Sequence, residues 1–490
     1  MILDAHICYD ALKSRDARFD GKFYIAVRTT GVYCRPICPA PTAHYKNCTF
    51  FATAARAETA GYRPCLRCFP EQAPGYVPRE VASEIVVKAV DMIQHDPLEN
   101  GNMEQLAGDL GISSRHLRRL FEEHLGISPM QLVKTRRVQM AKKLITETSL
   151  SMAQIAFVAG FPTIAQFNAE MKKTYHEPPS ALRRRYKFGP KHSASDKNRL
   201  HVRLAYRPPY DWAQAENYLA GRMVAGVERF DRGRYRRLVT FRDASGVIEV
   251  CHEGRGNWLT LHVPMLLWPH LQHIIAKCRA LFDLDADTDR IESRLSVDAR
   301  LKDIVATSPG ARLLGAWDFY ELAIRAIIGQ QITVAGATTL TNRLVEHISG
   351  EMATVIDGEC WLPFPTPDEV IAAPLEKLGF ITSRAATLRA FSESYRRGDL
   401  TFARAATLDD KLKKLTAIKG IGPWTAGYIA MRGMAEPDAY PYGDLGLHKA
   451  CGLSGKTASK DLHTALESVR PWRGYATMHL WRSLTAGEKP

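Results

Sequence analysis

Lys419-Gly420-Ile421-Gly422-Pro423-Trp424 decides how the C-terminal part of this sequence is read. It is a short glycine hairpin between two helical patterns. Glycines there let backbone N–H groups approach a phosphate closely, and the start of the following helix adds partial positive charge. A plain helix C-cap would use the same residues, so the hairpin alone does not settle the matter. Downstream, Ala439-Tyr440-Pro441-Tyr442-Gly443-Asp444-Leu445-Gly446-Leu447-His448 reads as an aromatic loop leading into a helix, with Asp444 near the helix start. Asp444 is either an N-cap or a carboxylate placed for chemistry. Trp424 and Tyr428 lie one turn apart on one helical face and suit a flat, electron-poor ring. Most other aromatics of a helical domain belong to its core.

Near the N-terminus, four of the ten cysteines form two close pairs, Cys34 with Cys38 and Cys65 with Cys68. The C-x3-C and C-x2-C spacings suit a tetrahedral zinc site. Disulfides would need an oxidising compartment, and Met1–Asp10 carries no secretory signal. Arginines flank the pairs, in Gly31-Val32-Tyr33-Cys34-Arg35-Pro36 and Arg63-Pro64-Cys65-Leu66-Arg67-Cys68. They put positive charge around a thiolate cluster and suit a phosphate-bearing partner, with Arg35 and Arg63 as candidate DNA contacts. Cys8, Cys48, Cys251, Cys278, Cys360 and Cys451 are scattered and read as reduced thiols.

Pro/Gly-rich breaks at Gln72–Pro78 and Lys187–Lys197 divide the chain. Between them, two units share one punctuation. In the first, a short helix ends at Gly111 and Ser113 can cap the next. In the second, the chain turns at Gly160 and a fresh helix runs from Thr163 to Tyr175. This is a repeated helix-turn-helix. Its second helices carry Arg115, Arg118 and Arg119 in one unit and Gln166, Asn168 and Lys172 in the other, side chains able to reach phosphates and base edges. A helical bundle with a solvated basic face is the plainer alternative. Strand-like segments, Leu238–Phe241 and Gly246–Val250, mark a mixed region from Leu200 to about Pro309, and helical periodicity resumes from Ala311. We expect a multidomain α+β chain: a small zinc-bound α/β domain at 1–76, an all-α double helix-turn-helix at 81–186, a linker at 187–199, a mixed α/β subdomain at 200–310 and an all-α helix-hairpin-helix domain at 311–490.

The chain has 490 residues, a hydrophobic fraction of 46% and a formal charge of +14 with a pI near 9.3. That length suits about three or four domains, and the charge points to a polyanionic partner, most simply nucleic acid. No segment approaches the ~18 apolar residues of a membrane span. The reduced cysteines suggest the cytoplasm, and no membrane partner is expected.

These motifs carry a family resemblance in three blocks. Residues 1–76 resemble the zinc domain of Ada-type adaptive-response proteins, through the two cysteine words quoted above. Residues 81–186 resemble the AraC-type double helix-turn-helix. Residues 200–490 resemble AlkA-like 3-methyladenine DNA glycosylase II of the helix-hairpin-helix superfamily. The matching words are Tyr206-Arg207-Pro208-Pro209-Tyr210-Asp211-Trp212, Arg325-Ala326-Ile327-Ile328-Gly329-Gln330, Gly420-Ile421-Gly422-Pro423-Trp424-Thr425-Ala426, and Pro471-Trp472-Arg473 with His479-Leu480-Trp481.

The resemblance implies that Cys34 accepts a methyl group from a methyl phosphotriester in DNA, once only. It implies one Zn²⁺ on Cys34, Cys38, Cys65 and Cys68. It makes Asp444 the catalytic aspartate of a base-flipping glycosylase for alkylated purines such as 3-methyladenine and 7-methylguanine. Trp424, Tyr428 and Trp481 then line the pocket, and Gly420, Ile421 and Gly422 grip a phosphate. The family's intercalating leucine aligns with Gln331, a departure. Trp424 stands where lyases carry a Schiff-base lysine, and no four-cysteine iron–sulfur motif follows Trp481, so neither strand cleavage nor that cluster is expected. Partners implied are alkylated duplex DNA, promoter DNA and RNA polymerase. The competing reading is a transcription activator whose glycosylase block is weak or inactive.

Overall fold

The computed structural model describes residues 4–75, 83–95, 103–185, 198–254, 256–402 and 406–486. Most of the linker expected at 187–199, and the end of the first break at Tyr76-Val77-Pro78, lie outside them. The chain divides into two compact units: Met1–Pro208 with Glu253–Ala276, and Pro209–His252 with Lys277–Phe402 and Ala406–Pro490. Among the described residues no helix is long and apolar enough to cross a membrane.

The first unit opens with a four-stranded sheet in the order Cys48–Phe51, Tyr24–Val27, Val32–Cys34, Arg63–Pro64. The last two strands run parallel, with Tyr33 opposite Pro64, and the Cys65 N–H donates to the Tyr33 carbonyl at 2.9 Å. This pairing brings the first cysteine of each pair to the same sheet end. Helices follow, among them Met103–Asp109 and Ser114–Leu125, then Met152–Val158 and Ile164–Tyr175. Ser113 and Thr163 cap the second helix of each pair, accepting from the His116 and Gln166 N–H groups at 3.2 and 3.1 Å. Both helix-turn-helix units therefore take the form expected of their punctuation.

The long helix Pro129–Glu147 joins those two helix-turn-helix units and also packs on helix Ala54–Thr59 and the turn Pro70–Gln72 of the cysteine-bearing domain. Lys142 is wholly buried against Glu71 at 3.2 Å, with its ammonium over the Phe69 ring. Glu58 accepts from Tyr33 Oη at 2.8 Å and from Thr135 Oγ1 at 2.5 Å. Burial raises the Glu58 pKa, while the Thr135 and Tyr33 hydrogen bonds oppose the rise. Arg199–Ala205 and Trp258–Pro264 also belong to this unit and pair antiparallel, burying Leu200, Val202 and Leu204 from one strand and Leu259, Leu261 and Val263 from the other.

In the second unit, strands Glu228–Asp231, Arg234–Thr240 and Ser245–Cys251 form an antiparallel meander. The rest is helical, interrupted by a ribbon of Thr354–Ile356 with Glu359–Trp361 that helical periodicity alone does not disclose. Helix Phe319–Ile328 runs through the core, burying Tyr320, Ala323, Ile324, Ile327 and Ile328. A charged knot ties it to the meander: Glu228 accepts from Arg237 at 3.1 Å and Arg325 at 2.9 Å, and Glu321 accepts from Arg325 at 3.0 Å and also from Arg237. Removing one member of a buried ion network leaves its partner uncompensated. Glu321→Ala is expected to cost about 3 kcal/mol or more of stability in chemical denaturation.

Candidate active site and nucleic-acid interface

Asp444 is an N-cap and more than an N-cap. It stands before helix Leu445–Ala450, and its Oδ1 accepts the Leu447 N–H at 2.9 Å. The same oxygen accepts Trp481 Nε1–H at 3.0 Å, and Oδ2 accepts Trp424 Nε1–H at 2.8 Å. Three donors on separate helices thus fix both oxygens of one carboxylate. The loop before it is pinned by Asp438, which takes Arg473 at 2.9 and 2.8 Å and Arg470 at 2.9 Å. Helix Pro423–Gly433 passes so close that a Cβ on Gly427 would stand 2.0 Å from the Tyr440 carbonyl oxygen, so only glycine fits.

Beside Asp444, the Trp424 and Tyr428 rings stack with centroids 5.4 Å apart and planes 5° apart, and Trp481 stands 6.3 Å from Tyr428. All three are half-buried, and together they form an aromatic cluster next to the carboxylate. Arg432 Nη1 donates to Tyr428 Oη at 3.0 Å. Burial alone would raise the Tyr428 phenol, but Arg432 and then Arg222 outweigh it and bring its pKa down to about 7. Sequence reasoning missed Arg432, although its i,i+4 spacing from Tyr428 is a visible signal.

The hairpin carries its own constraints. Gly420 takes φ +90°, and a Cβ there would meet Thr387 Oγ1 at 2.0 Å, so the position needs glycine twice over. Ile421 is buried in the core and anchors the turn, while Gly420 and Gly422 stay exposed. Gln331 is exposed with φ +56°, at the tip of a neighbouring loop. Its predecessor, Gln330, holds the two loops together through Nε2, which donates to the Gly420 carbonyl and to Thr425 Oγ1, each at 3.0 Å. Arg384 donates to the Gln330 carbonyl. Gln330 and Arg384 are further residues that the sequence did not single out, because their partners are far away along the chain.

In the first unit, Cys34, Cys38, Cys65 and Cys68 are all buried, with their sulfur atoms all within 4.8 Å of one another. The thiols share protons. Cys65 and Cys38 fall, Cys38 to about 7, because neighbouring thiols donate to them, while Cys34 and Cys68 rise. Four thiolates this close need a cation, and a soft tetrahedral donor set fits zinc. Arg35 departs from its reading as a DNA contact. It is buried, its Nε donates to Asp20 Oδ1 at 2.8 Å and its Nη1 to the Cys68 carbonyl at 3.0 Å. Its charge braces the cysteine loop instead of facing solvent. Arg63 is half-buried on its strand. Arg115, Arg118, Arg119, Asn168 and Lys172 are exposed on the second helices of the two helix-turn-helix units, and Gln166 is half-buried there.

Four family models match the chain. They are the metal binding domain of Ada over residues 7–71, a helix-turn-helix domain over 106–185, the AlkA N-terminal domain over 201–318, and the HhH-GPD superfamily of base excision DNA repair proteins over 324–471. A probable bifunctional transcriptional activator/DNA repair enzyme AlkA of Mycobacterium tuberculosis is 35% identical over 98% of this chain and 97% of its own. The chain belongs to this bifunctional AlkA family. The AlkA-type half also resembles DNA-3-methyladenine glycosylase 2 of Escherichia coli, 31% identical over 59% of this chain and 98% of that protein. A 3-methyladenine DNA glycosylase of Archaeoglobus fulgidus shares the fold, with a TM-score of 0.52 at 16% identity over 59% of this chain and 99% of that one. This AlkA-family chain is thus a DNA repair protein with glycosylase and regulator modules, and its Ada-type domain and four-cysteine cluster point to zinc.

Losing one donor to Asp444 should loosen the carboxylate without unfolding the unit. Trp424→Phe is expected to lower single-turnover base release from methylated DNA by roughly 10- to 100-fold, with an unchanged circular dichroism spectrum.

Proposed function

We propose that this protein hydrolyses the N-glycosidic bond of alkylated purines, 3-methyladenine and 7-methylguanine among them, in duplex DNA, and separately takes one methyl group from a DNA phosphotriester onto Cys34. The observation that carries the first activity is Asp444, held by three N–H donors beside a cluster of aromatic rings. A base swung out of the duplex stacks against Trp424, Tyr428 and Trp481. The carboxylate faces the sugar and stabilises the positive charge that develops as the C–N bond breaks, or orients the attacking water. An alkylated purine already carries positive charge, so it leaves without strong acid assistance. The hairpin Gly420-Ile421-Gly422 grips a phosphate through backbone N–H groups, and Gln331 fills the gap in the duplex. Tryptophan at 424 supplies no amine, so the abasic strand is left uncut.

For the second activity, zinc on Cys34, Cys38, Cys65 and Cys68, one ion per chain, would keep the thiols deprotonated at neutral pH. Three of the four sulfurs accept a backbone N–H: Cys68 from Arg35 at 3.3 Å, Cys65 from Arg67 at 3.4 Å, and Cys38 from Ala40. Among the described contacts Cys34 accepts none, which leaves its sulfur the most nucleophilic. Its S–C bond forms as the methyl C–O bond breaks, and the DNA phosphate leaves as a diester anion. The cluster loses one negative charge in the process, so repulsion from DNA falls and the methylated form binds DNA more tightly. In this reading the double helix-turn-helix binds promoter DNA, with RNA polymerase as a further partner, and the protein acts as a monomer in the bacterial cytoplasm. The same reading keeps the domain limits proposed from the sequence and assigns no role to an iron–sulfur cluster.

Incubating the full chain with methylated duplex DNA should release free 3-methyladenine and leave alkali-labile but uncut abasic sites. No release would favour the reading in which the chain only regulates transcription. For the acceptor, Cys34→Ala should abolish methyl transfer from phosphotriester DNA while about one zinc per chain remains countable in the wild type. Transfer persisting in the variant would move the acceptor to another cysteine.

A further inference from the structure

Arg432 is an unusual group to find against an aromatic cluster. It is buried, and its hydrogen bonds run to the Leu314 carbonyl at 2.8 Å, the Gly315 carbonyl at 2.6 Å and Tyr428 Oη at 3.0 Å. Among the described residues it has no carboxylate partner. A buried guanidinium without a counter-ion is costly, so something near it should carry negative charge. Glu228 acts on it only from a distance, because that carboxylate is already bonded to Arg237 and Arg325. Of its hydrogen-bond partners, only the Tyr428 phenol can ionise.

The surroundings act in one direction. From helix Trp212–Ala220 and the turn after it, Tyr218 and Arg222 face Tyr428, and the Arg222 guanidinium stacks 3.9 Å over the Tyr218 ring. Burial raises the Tyr218 phenol, which keeps it a neutral neighbour. From the core helix, Arg325 adds positive charge near Arg432. From the far side, Trp481 is uncharged and Asp444 is turned toward the two indoles.

We propose that Tyr428 reads the charge of the flipped base: its phenol, ionised against Arg432 and Arg222, presents an anionic ring to a purine that carries positive charge and gives no such advantage to a neutral one. The proposal rests on Trp424, Tyr428 and Trp481 being the base pocket. A neutral tyrosine face already attracts a cation, and a phenolate spreads additional negative charge over that face. Arg432 is then a positioning residue that never touches the base. Its role is to set the charge state and angle of the ring that does. The phenol proton is released to solvent before the base enters.

The test compares single-turnover release of 3-methyladenine, a fixed cation in DNA, with release of hypoxanthine, a neutral base, between about pH 6 and about pH 9. In the wild type, 3-methyladenine release should climb about tenfold as the phenol ionises, and hypoxanthine release should not follow that titration. Tyr428→Phe keeps the ring but should abolish the climb, and with it one near-ultraviolet tyrosinate titration in the free protein. Arg432→Gln should move the midpoint of the climb upward. Should that variant fail to fold, Arg222→Gln, at a half-buried site, carries the same expectation. An unchanged pH profile and spectral titration in Tyr428→Phe would overturn the proposal. Tyr428→Ala separates the two layers: wild-type release by a folded alanine variant would sink the pocket itself, whereas loss in alanine with an unaltered profile in phenylalanine sinks only the charge reading.

Discussion

Three N–H groups meet on the Asp444 carboxylate, and much of the second unit is arranged so that they can. Two are indole donors from residues 57 positions apart in sequence, Trp424 and Trp481, and the third is the Leu447 backbone. Neither indole would reach the carboxylate unless helices Pro423–Gly433 and Arg473–Ala486 were held against the loop between them. Gly427 permits one approach and the Asp438–Arg473 ion pair locks the other. Glycine, buried ion pair and aromatic wall thus serve a single requirement, a carboxylate that cannot turn away.

The first unit solves a different problem, that of gathering four sulfurs. A parallel strand pair sets Cys34 beside Cys65, and buried Arg35 braces the Cys68 loop against Asp20. The residues next to the cysteines reach further. Tyr33 touches Glu58, which Thr135 also bonds, and Phe69 lies under Lys142, so the long helix Pro129–Glu147 is anchored beside both cysteine pairs. A change at the sulfurs therefore has a packed route to the helix that joins the two helix-turn-helix units.

Local chemistry explains what could be seen in the sequence. Cysteine spacing, the N-cap at Ser113, the fresh helix after Gly160, the glycine hairpin at 420–422 and the helix-start position of Asp444 all depend on residues a few positions apart, and each stands in the fold as expected. What escaped was long-range pairing. Arg35 looked like a phosphate contact because its buried partner, Asp20, lies on a separate segment. Gln330 and Arg384 meet only after the hairpin packs on its neighbours. The ribbon Thr354–Trp361 breaks a stretch whose flanks are helical, and its short strands leave little periodic signal. Asp444 carried two meanings at once, and only tertiary structure shows that a cap can also be the acceptor of two indoles.

Base release depends on the carboxylate of Asp444 being held in one orientation by its three donors. The most direct measurement is single-turnover release of 3-methyladenine by wild type and Asp444→Asn, with binding to abasic duplex DNA measured in parallel. Asparagine keeps the shape and the cap but loses the negative charge. The account predicts that DNA binding survives and base release falls by about a thousandfold or more. Base release by Asp444→Asn at the wild-type rate would contradict it.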